Sequence, residues 1–343
     1  MLYFIFFVLI LGITVLIHEL GHFIFAKIFN IYVYEFSIGM GPKLFSKKDK
    51  KNETSYSLRA IPIGGFVSLA GEEVKNDDKI PSDRKLQAKK PWQRFLVMFF
   101  GAGSNFIFAI CLLFIMGLFL GSPSTKPIIT EVEKGYPAEL AGIEAGDLVV
   151  KMNNHKIKYL DDMSYYFTVL DKNEGIIFKV KKTNGKFANI DVKPIEEEGN
   201  LIFGVTLNNQ IDKGFKAAVK YAYHKNNALF KQMFMVVGSL FNGQIKMNSL
   251  SGPIGIYSIV GQARKSGIGT LLYLLAFLGV NVGFINLLPF PAFDGGRILF
   301  LLIEKIKGKP IKTSTENTIH SIGFVLLMLL LLFVTINDII KLN

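Results

Sequence analysis

The stretch Leu2-Tyr3-Phe4-Ile5-Phe6-Phe7-Val8-Leu9-Ile10-Leu11-Gly12-Ile13-Thr14-Val15-Leu16-Ile17 runs without a charge into His18-Glu19-Leu20-Gly21-His22. Phe23-Ile24-Phe25-Ala26-Lys27-Ile28 follows. Length and apolar character predict a membrane-spanning helix over about Leu2–Ile28. Positions four apart share a helix face, so His18 and His22 can reach one metal ion. Glu19 lies beside them as a candidate general base. The helix rises about 26 Å before His18, most of a hydrocarbon core about 30 Å thick. Ionisable groups at that depth are costly, and three in five residues ask for a function. No basic region precedes the apolar run, so it does not read as a cleavable signal peptide.

The rest of the chain agrees with a membrane setting. Of 343 residues, 50% are hydrophobic, and the mean hydropathy is +0.36. The fold class expected is a multi-pass α-helical membrane protein with a membrane-associated β-rich loop and one inserted PDZ-like α+β domain. Four segments are long and apolar enough to span: about Leu2–Ile28, Phe95–Leu120, Ile268–Phe290 and Ile319–Ile336. The expected order is a first span (1–30), a β-rich loop and linker (31–93) and a second span (94–121). The inserted domain (122–210), an amphipathic connector (211–267) and a third span with an aspartate motif (268–297) follow. A loop (298–318) and a fourth span (319–343) complete it.

The net charge of +12 is carried mainly by lysines. No nucleic-acid motif accompanies them, so lysines facing anionic lipid explain the balance and no nucleic-acid partner is expected. Lys85, Lys89, Lys90 and Arg94 precede the second span, and Arg297, Lys305, Lys307 and Lys309 follow the third. Positive-inside logic places both loops in the cytoplasm and both chain ends outside it. The lone Cys111 excludes an intramolecular disulfide and a thiolate metal cluster.

Tyr32–Ile38 and Ser55–Ile61 are strand-like, interrupted at Gly39, Gly41, Pro42, Pro62, Gly64 and Gly65. Lys47–Glu53 reads as a solvated, mobile tip and Asp77–Lys90 as a polar linker. Phe230–Val237 reads as part of an interfacial amphipathic helix. Short β-runs at Ile128–Val132, Leu148–Met152, Ile176–Lys181 and Ala188–Val192 mark the soluble insert. Its run Gly135-Tyr136-Pro137-Ala138-Glu139-Leu140-Ala141-Gly142-Ile143-Glu144-Ala145-Gly146-Asp147-Leu148-Val149 resembles the centre of a bacterial PDZ domain. That resemblance implies peptide or C-terminus binding by strand addition; packing on the membrane part alone is the other reading.

A catalytic zinc site takes three protein ligands and leaves a fourth position open. His155, His224 and His320 are poorly placed to supply the third. Asp294 is the better choice. It follows Asn286-Leu287-Leu288-Pro289-Phe290-Pro291-Ala292-Phe293 and precedes Gly295-Gly296. The prolines must break the third helix, and irregular backbone at membrane depth needs a reason. Asp294 could otherwise only cap the next helix.

Together these motifs closely resemble the site-2 protease family of intramembrane zinc metalloproteases, in its bacterial branch with a PDZ insert (the regulator-of-sigma-E-protease type). The resemblance spans the chain and includes Leu250-Ser251-Gly252-Pro253-Ile254-Gly255. It implies that His18, His22 and Asp294 bind Zn2+, that Glu19 is the catalytic acid–base, and that Asn281 and Asn286 handle substrate. It also implies single-span membrane substrates, anti-sigma factors or signal-peptide remnants, cut within the bilayer of a bacterial cytoplasmic membrane. The insert would then be extracytoplasmic and the active site near the cytoplasmic side. A substrate helix must unwind before cleavage, and an open edge within Ser55–Leu69 could hold it extended. Two departures stand out. Gly101-Ala102-Gly103-Ser104-Asn105 has alanine where the family commonly has proline, and there is one PDZ-like module where some relatives have two.

Three other readings compete. A catalytically silent PDZ-containing scaffold or sensor would not need Glu19. A metal transporter would need a polar path, yet the second and fourth spans offer little beyond Ser104 and Asn105. An anchored protease with a soluble catalytic domain would carry its motif outside lipid.

Overall fold

A computed structural model describes residues 2–72, 79–169, 175–197, 200–243 and 252–342. It divides into two units, Met1–Leu112 with Lys246–Asn343, and Leu113–Ile245. Among the described residues, four helices are long and apolar enough to cross a membrane.

Helix α1 (Leu2–Ile28) has the expected bounds. Helix α2 (Pro91–Phe119) begins a turn earlier than expected, because Pro91 is well suited to a first helical position. In the first unit, α1 and α2 meet closely. The Phe25 and Phe100 rings stack at 3.9 Å between centroids. Ser104 Oγ lies 2.7 Å from the Ile17 carbonyl, to which it can donate. A methyl group on Gly21 would sit 1.9 Å from the Phe100 carbonyl oxygen, so only glycine permits this crossing.

Strands β1 (Val33–Lys48) and β2 (Ser55–Leu69) are longer than the sequence suggests. The glycines and prolines bend and bulge them without ending them. The register places residues 33–38 between 65–69 and 55–58, while 43–48 pair with 55–59. Residues 65–69 are therefore an outer edge. The Lys47–Glu53 tip, expected to be mobile, is stapled at and beside its end: Arg84 donates twice to the Glu53 carboxylate at 2.8 and 3.0 Å, and Lys27 donates to the adjacent Thr54 at 2.7 Å. The expected polar linker is also tied down. Leu86 is buried with Ala26, Ile31, Val33, Leu69, Val97 and Met98. Residues 77 and 78 of that linker lie outside the described residues.

In the second unit, β3 (Ser122–Pro123), β4 (Ile129–Val132), α3 (Pro137–Leu140), β5 (Leu148–Met152), β6 (His155–Lys156) and α4 (Leu160–Val169) come first. Strands β7 (Ile176–Lys181), β8 (Phe187–Val192), β9 (Ile195–Glu197), β10 (Asn200–Ile202), β11 (Val205–Leu207) and β12 (Ile211–Asp212) follow. The main sheet has the order β6-β5-β7-β8. Val149, Met152, Ile176, Phe178, Val180 and Val192 fill its core. Alternate residues of β7 point inward, as the period of two requires. Helix α5 (Phe215–Phe241) ends the unit and is joined to α4 by ion pairs of Lys225 with Asp161 and of Lys231 with Asp162, the latter at 2.7 Å.

The connector expected at 211–267 is thus mostly two helices, α5 and α6 (Pro253–Lys265). Leu250 and Ser251 of the Leu250–Gly255 motif lie outside the described residues. Helix α6 packs on α1 and α7 (Ile268–Leu287) through Ile10, Val260, Leu271 and Leu275. The third span stops at Leu287, short of the expected Phe290, because Pro289 and Pro291 cannot continue a helix. The region expected as a loop after it is largely α8 (Asp294–Lys307), an amphipathic helix ended by Gly308 in the left-handed conformation. Helix α9 (Thr313–Leu342) extends the fourth span at both ends. Its Asp338 accepts a hydrogen bond from the Gly255 amide at 2.9 Å, capping α6 from another helix.

Candidate metal centre

One turn of α1 separates His18 and His22, and their rings lie edge to face at 4.8 Å. The α7–α8 break brings Asp294 to them. A methyl group on Gly295 would lie 2.2 Å from the Leu288 carbonyl oxygen, and one on Gly296 2.4 Å from that of Phe290. The two glycines thus let the start of α8 fold against the end of α7. Asp294 is not the helix cap; Phe293 holds that position, with no side-chain capping bond.

The three side chains converge. His18 Nε2 and His22 Nε2 are 3.2 Å apart, and Asp294 Oδ2 lies 3.1 and 3.2 Å from them. His22 Nδ1–H donates to the Val97 carbonyl at 2.8 Å, which leaves its Nε2 with a lone pair. Asp294 Oδ2 is buried and, among the described residues, receives no hydrogen bond. Lone-pair atoms packed this closely repel unless a cation lies among them. A tetrahedral site with bonds of about 2.0–2.1 Å has edges of roughly 3.4 Å, close to this triangle. His18, His22 and Asp294 are therefore a donor set that fits zinc.

Glu19 sits beside the triangle. Its Oε2 accepts from the Val67 amide at 2.9 Å, on the outer edge of β2. A cavity of about 720 Å3 opens on the triangle and is lined by His18, Glu19, His22, Phe66, Val67, Asn286, Asp294, Arg297 and His320, among others. Asn286 is on its wall, with its amide donating to Val282 O at 2.9 Å. Asn281 is not; it lies more than a turn back along α7 and donates to Phe277 O at 2.8 Å.

Four features of the site escaped the sequence reading. The Val67 amide carries no side-chain signal. Arg297 lines the cavity and pairs with Glu72, which is distant in sequence. Gly101 of α2 closes on the triangle: a methyl group there would lie 2.3 Å from His22 Nε2 and 2.8 Å from Asp294 Oδ2. His320, set aside as a ligand, lines the same cavity without being one.

The profile of peptidase family M50 matches residues 6–330. A Clostridium perfringens protein carrying a zinc-metalloprotease name is 38% identical, over 99% of each chain. The regulator of sigma-W protease RasP of Bacillus subtilis is 32% identical over 98% of each. The PDZ domain of an SdrC-like protein from Listeria innocua is 22% identical over 25% of this chain and 96% of its own, at a TM-score of 0.22, too slight a likeness to carry weight. The chain therefore belongs to peptidase family M50, the site-2 proteases, and is a zinc-dependent intramembrane metalloprotease.

Proposed function

We propose that His18, His22 and Asp294 hold the zinc, that Glu19 is the acid–base, and that the enzyme cleaves single-span membrane proteins within the bilayer. The convergence of two histidines and an aspartate at 3.1–3.2 Å, next to a glutamate on a transmembrane helix, carries this reading. Zinc, when bound, supplies Lewis acidity that activates water and polarises a carbonyl. Glu19 takes a proton from the attacking water and returns it to the leaving amide nitrogen. The bond from Val67 orients one carboxylate oxygen and leaves the other for that transfer.

A transmembrane substrate satisfies its amides internally and must be unwound before attack. The outer edge of residues 65–69 faces the cavity and suits the opened segment as an added strand. Asn286, on the cavity wall, is the better placed of the two asparagines to meet it. The second unit is PDZ-like and extracytoplasmic, and recruits or screens substrates. The lysine-rich loops and the active site lie toward the cytoplasm. The Bacillus relative's name ties it to sigma-factor control, which supports anti-sigma factors as one substrate class; signal-peptide remnants are the other.

The test is cleavage of a single-span reporter in liposomes by purified wild type and Glu19→Gln. Cutting by wild type alone, with zinc bound to both, supports the assignment. Equal cutting by both refutes Glu19 as the base.

A further inference from the structure

We propose that His320 of α9 is a substrate-binding group of this active site, donating from Nε2–H to a carbonyl oxygen of the extended substrate backbone. This rests on the proposed reading of the cavity as the place where a peptide meets His18, Glu19, His22 and Asp294.

The assignment starts from the α7–α8 break. Ala292 has φ of +81°, a conformation rare for a residue with a side chain, and it lies two positions before Asp294. Its amide N–H donates to His320 Nδ1 at 2.9 Å. One turn along α9, Gly323 packs on Pro291 so closely that a methyl group would lie 2.5 Å from the proline oxygen. Helix α9 thus grips the break at two adjacent points, and His320 is one of them.

The same bond fixes the chemistry of the ring. A nitrogen that accepts from an amide must present its lone pair, so the neutral imidazole carries its hydrogen on Nε2. That nitrogen is buried and, among the described residues, has no hydrogen-bond partner. A buried donor left unpaired is costly and calls for an explanation. The ring lines the cavity that holds the metal-binding triangle. An extended peptide there brings carbonyl oxygens, the acceptors an N–H needs. A donor whose ring is oriented by the Ala292 amide, on a helix fixed by the packing of Gly323 on Pro291, is preorganised for charge that develops on a carbonyl oxygen.

Two substitutions separate the functions of the ring. Asn in place of histidine keeps an acceptor near the Nδ1 position and removes the distal donor. Gln keeps a donor near the Nε2 position and removes the near acceptor. We expect His320→Asn to retain wild-type zinc content and to lower kcat by about 100-fold, the scale of removing one oxyanion-type donor. His320→Gln should retain more activity than His320→Asn. A purely structural role predicts the reverse order, because Asn preserves the bond to Ala292. Wild-type kcat in zinc-loaded His320→Asn would overturn the inference. Cleavage by wild type but not by Glu19→Gln, in the same assay, shows that the protease reading stands independently of that result.

Discussion

Replacing Gly101 with alanine should empty the metal site from a helix that supplies no ligand. In an exposed helix the same change stabilises by about 0.5–1 kcal/mol. Here the new methyl carbon would lie 2.3 Å from His22 Nε2 and 2.8 Å from Asp294 Oδ2. An ordinary contact is about 3.5 Å, so the imidazole must retreat by about 1.2 Å. Metal–ligand distances hold only to about ±0.2 Å, several times less than that retreat. The His22 ring also cannot tilt freely, because its Nδ1–H is bonded to the Val97 carbonyl on α2 itself. Loss of an outer-sphere partner costs 10–100-fold in metal affinity or activity, and direct displacement of a ligand should reach or exceed ~100-fold. The assay is zinc content after dialysis, measured with reporter cleavage on the same detergent-purified sample. Gly103→Ala is the control, since the atoms nearest its methyl would be phenylalanine side-chain atoms, the first at 3.3 Å. Stoichiometric zinc and wild-type cleavage in Gly101→Ala, with the monodispersity of the control, would refute the packing argument.

Val67→Pro removes the amide that orients Glu19 and blocks strand addition at the outer edge of β2. Turnover should fall below detection while zinc is retained; unchanged turnover would place substrate elsewhere. Arg84 holds the Glu53 carboxyl below the ordinary carboxylate range through its paired hydrogen bonds. A depressed carboxylate contributes stability at neutral pH that is lost as pH falls through its folded-state value. Arg84→Gln should therefore speed hydrogen exchange at residues 47–54 at neutral pH, and the difference from wild type should vanish once Glu53 is protonated. Deleting residues 125–208 distinguishes two roles for the second unit. Looser substrate choice in a panel of reporters indicates a filter, and lost cleavage indicates recruitment.

The four spans, the strands of the insert and the metal motif could be read locally. Apolar length, alternation and the four-residue spacing of His18 and His22 are properties of adjacent positions. Asp294 was legible for a related reason: prolines and paired glycines around one acid announce a helix break wherever they occur. The β-hairpin and the linker were read less well. Glycine and proline normally end strands, but two bent strands that pair with each other absorb them as bulges. The Lys47–Glu53 tip looked mobile because its partners, Lys27 and Arg84, are far away in sequence.

His320 marks the boundary between the two kinds of knowledge. On its own helix it is one polar residue among several, with Glu316, Asn317, Thr318 and Ser321, at the start of a span. Its bond to Ala292 and its place on the cavity wall exist only because Gly323 lets α9 approach Pro291. The same holds for Gly101, whose missing side chain matters only where α2 crosses the ligands. The sequence by itself determined which residues can bind a metal and which segments can span a membrane, since both follow from spacing along one helix. Tertiary structure alone decided which backbone amide meets Glu19, which glycine packs on His22 and Asp294 and which histidine lines the cavity, because contacts between distant segments depend on how the helices pack.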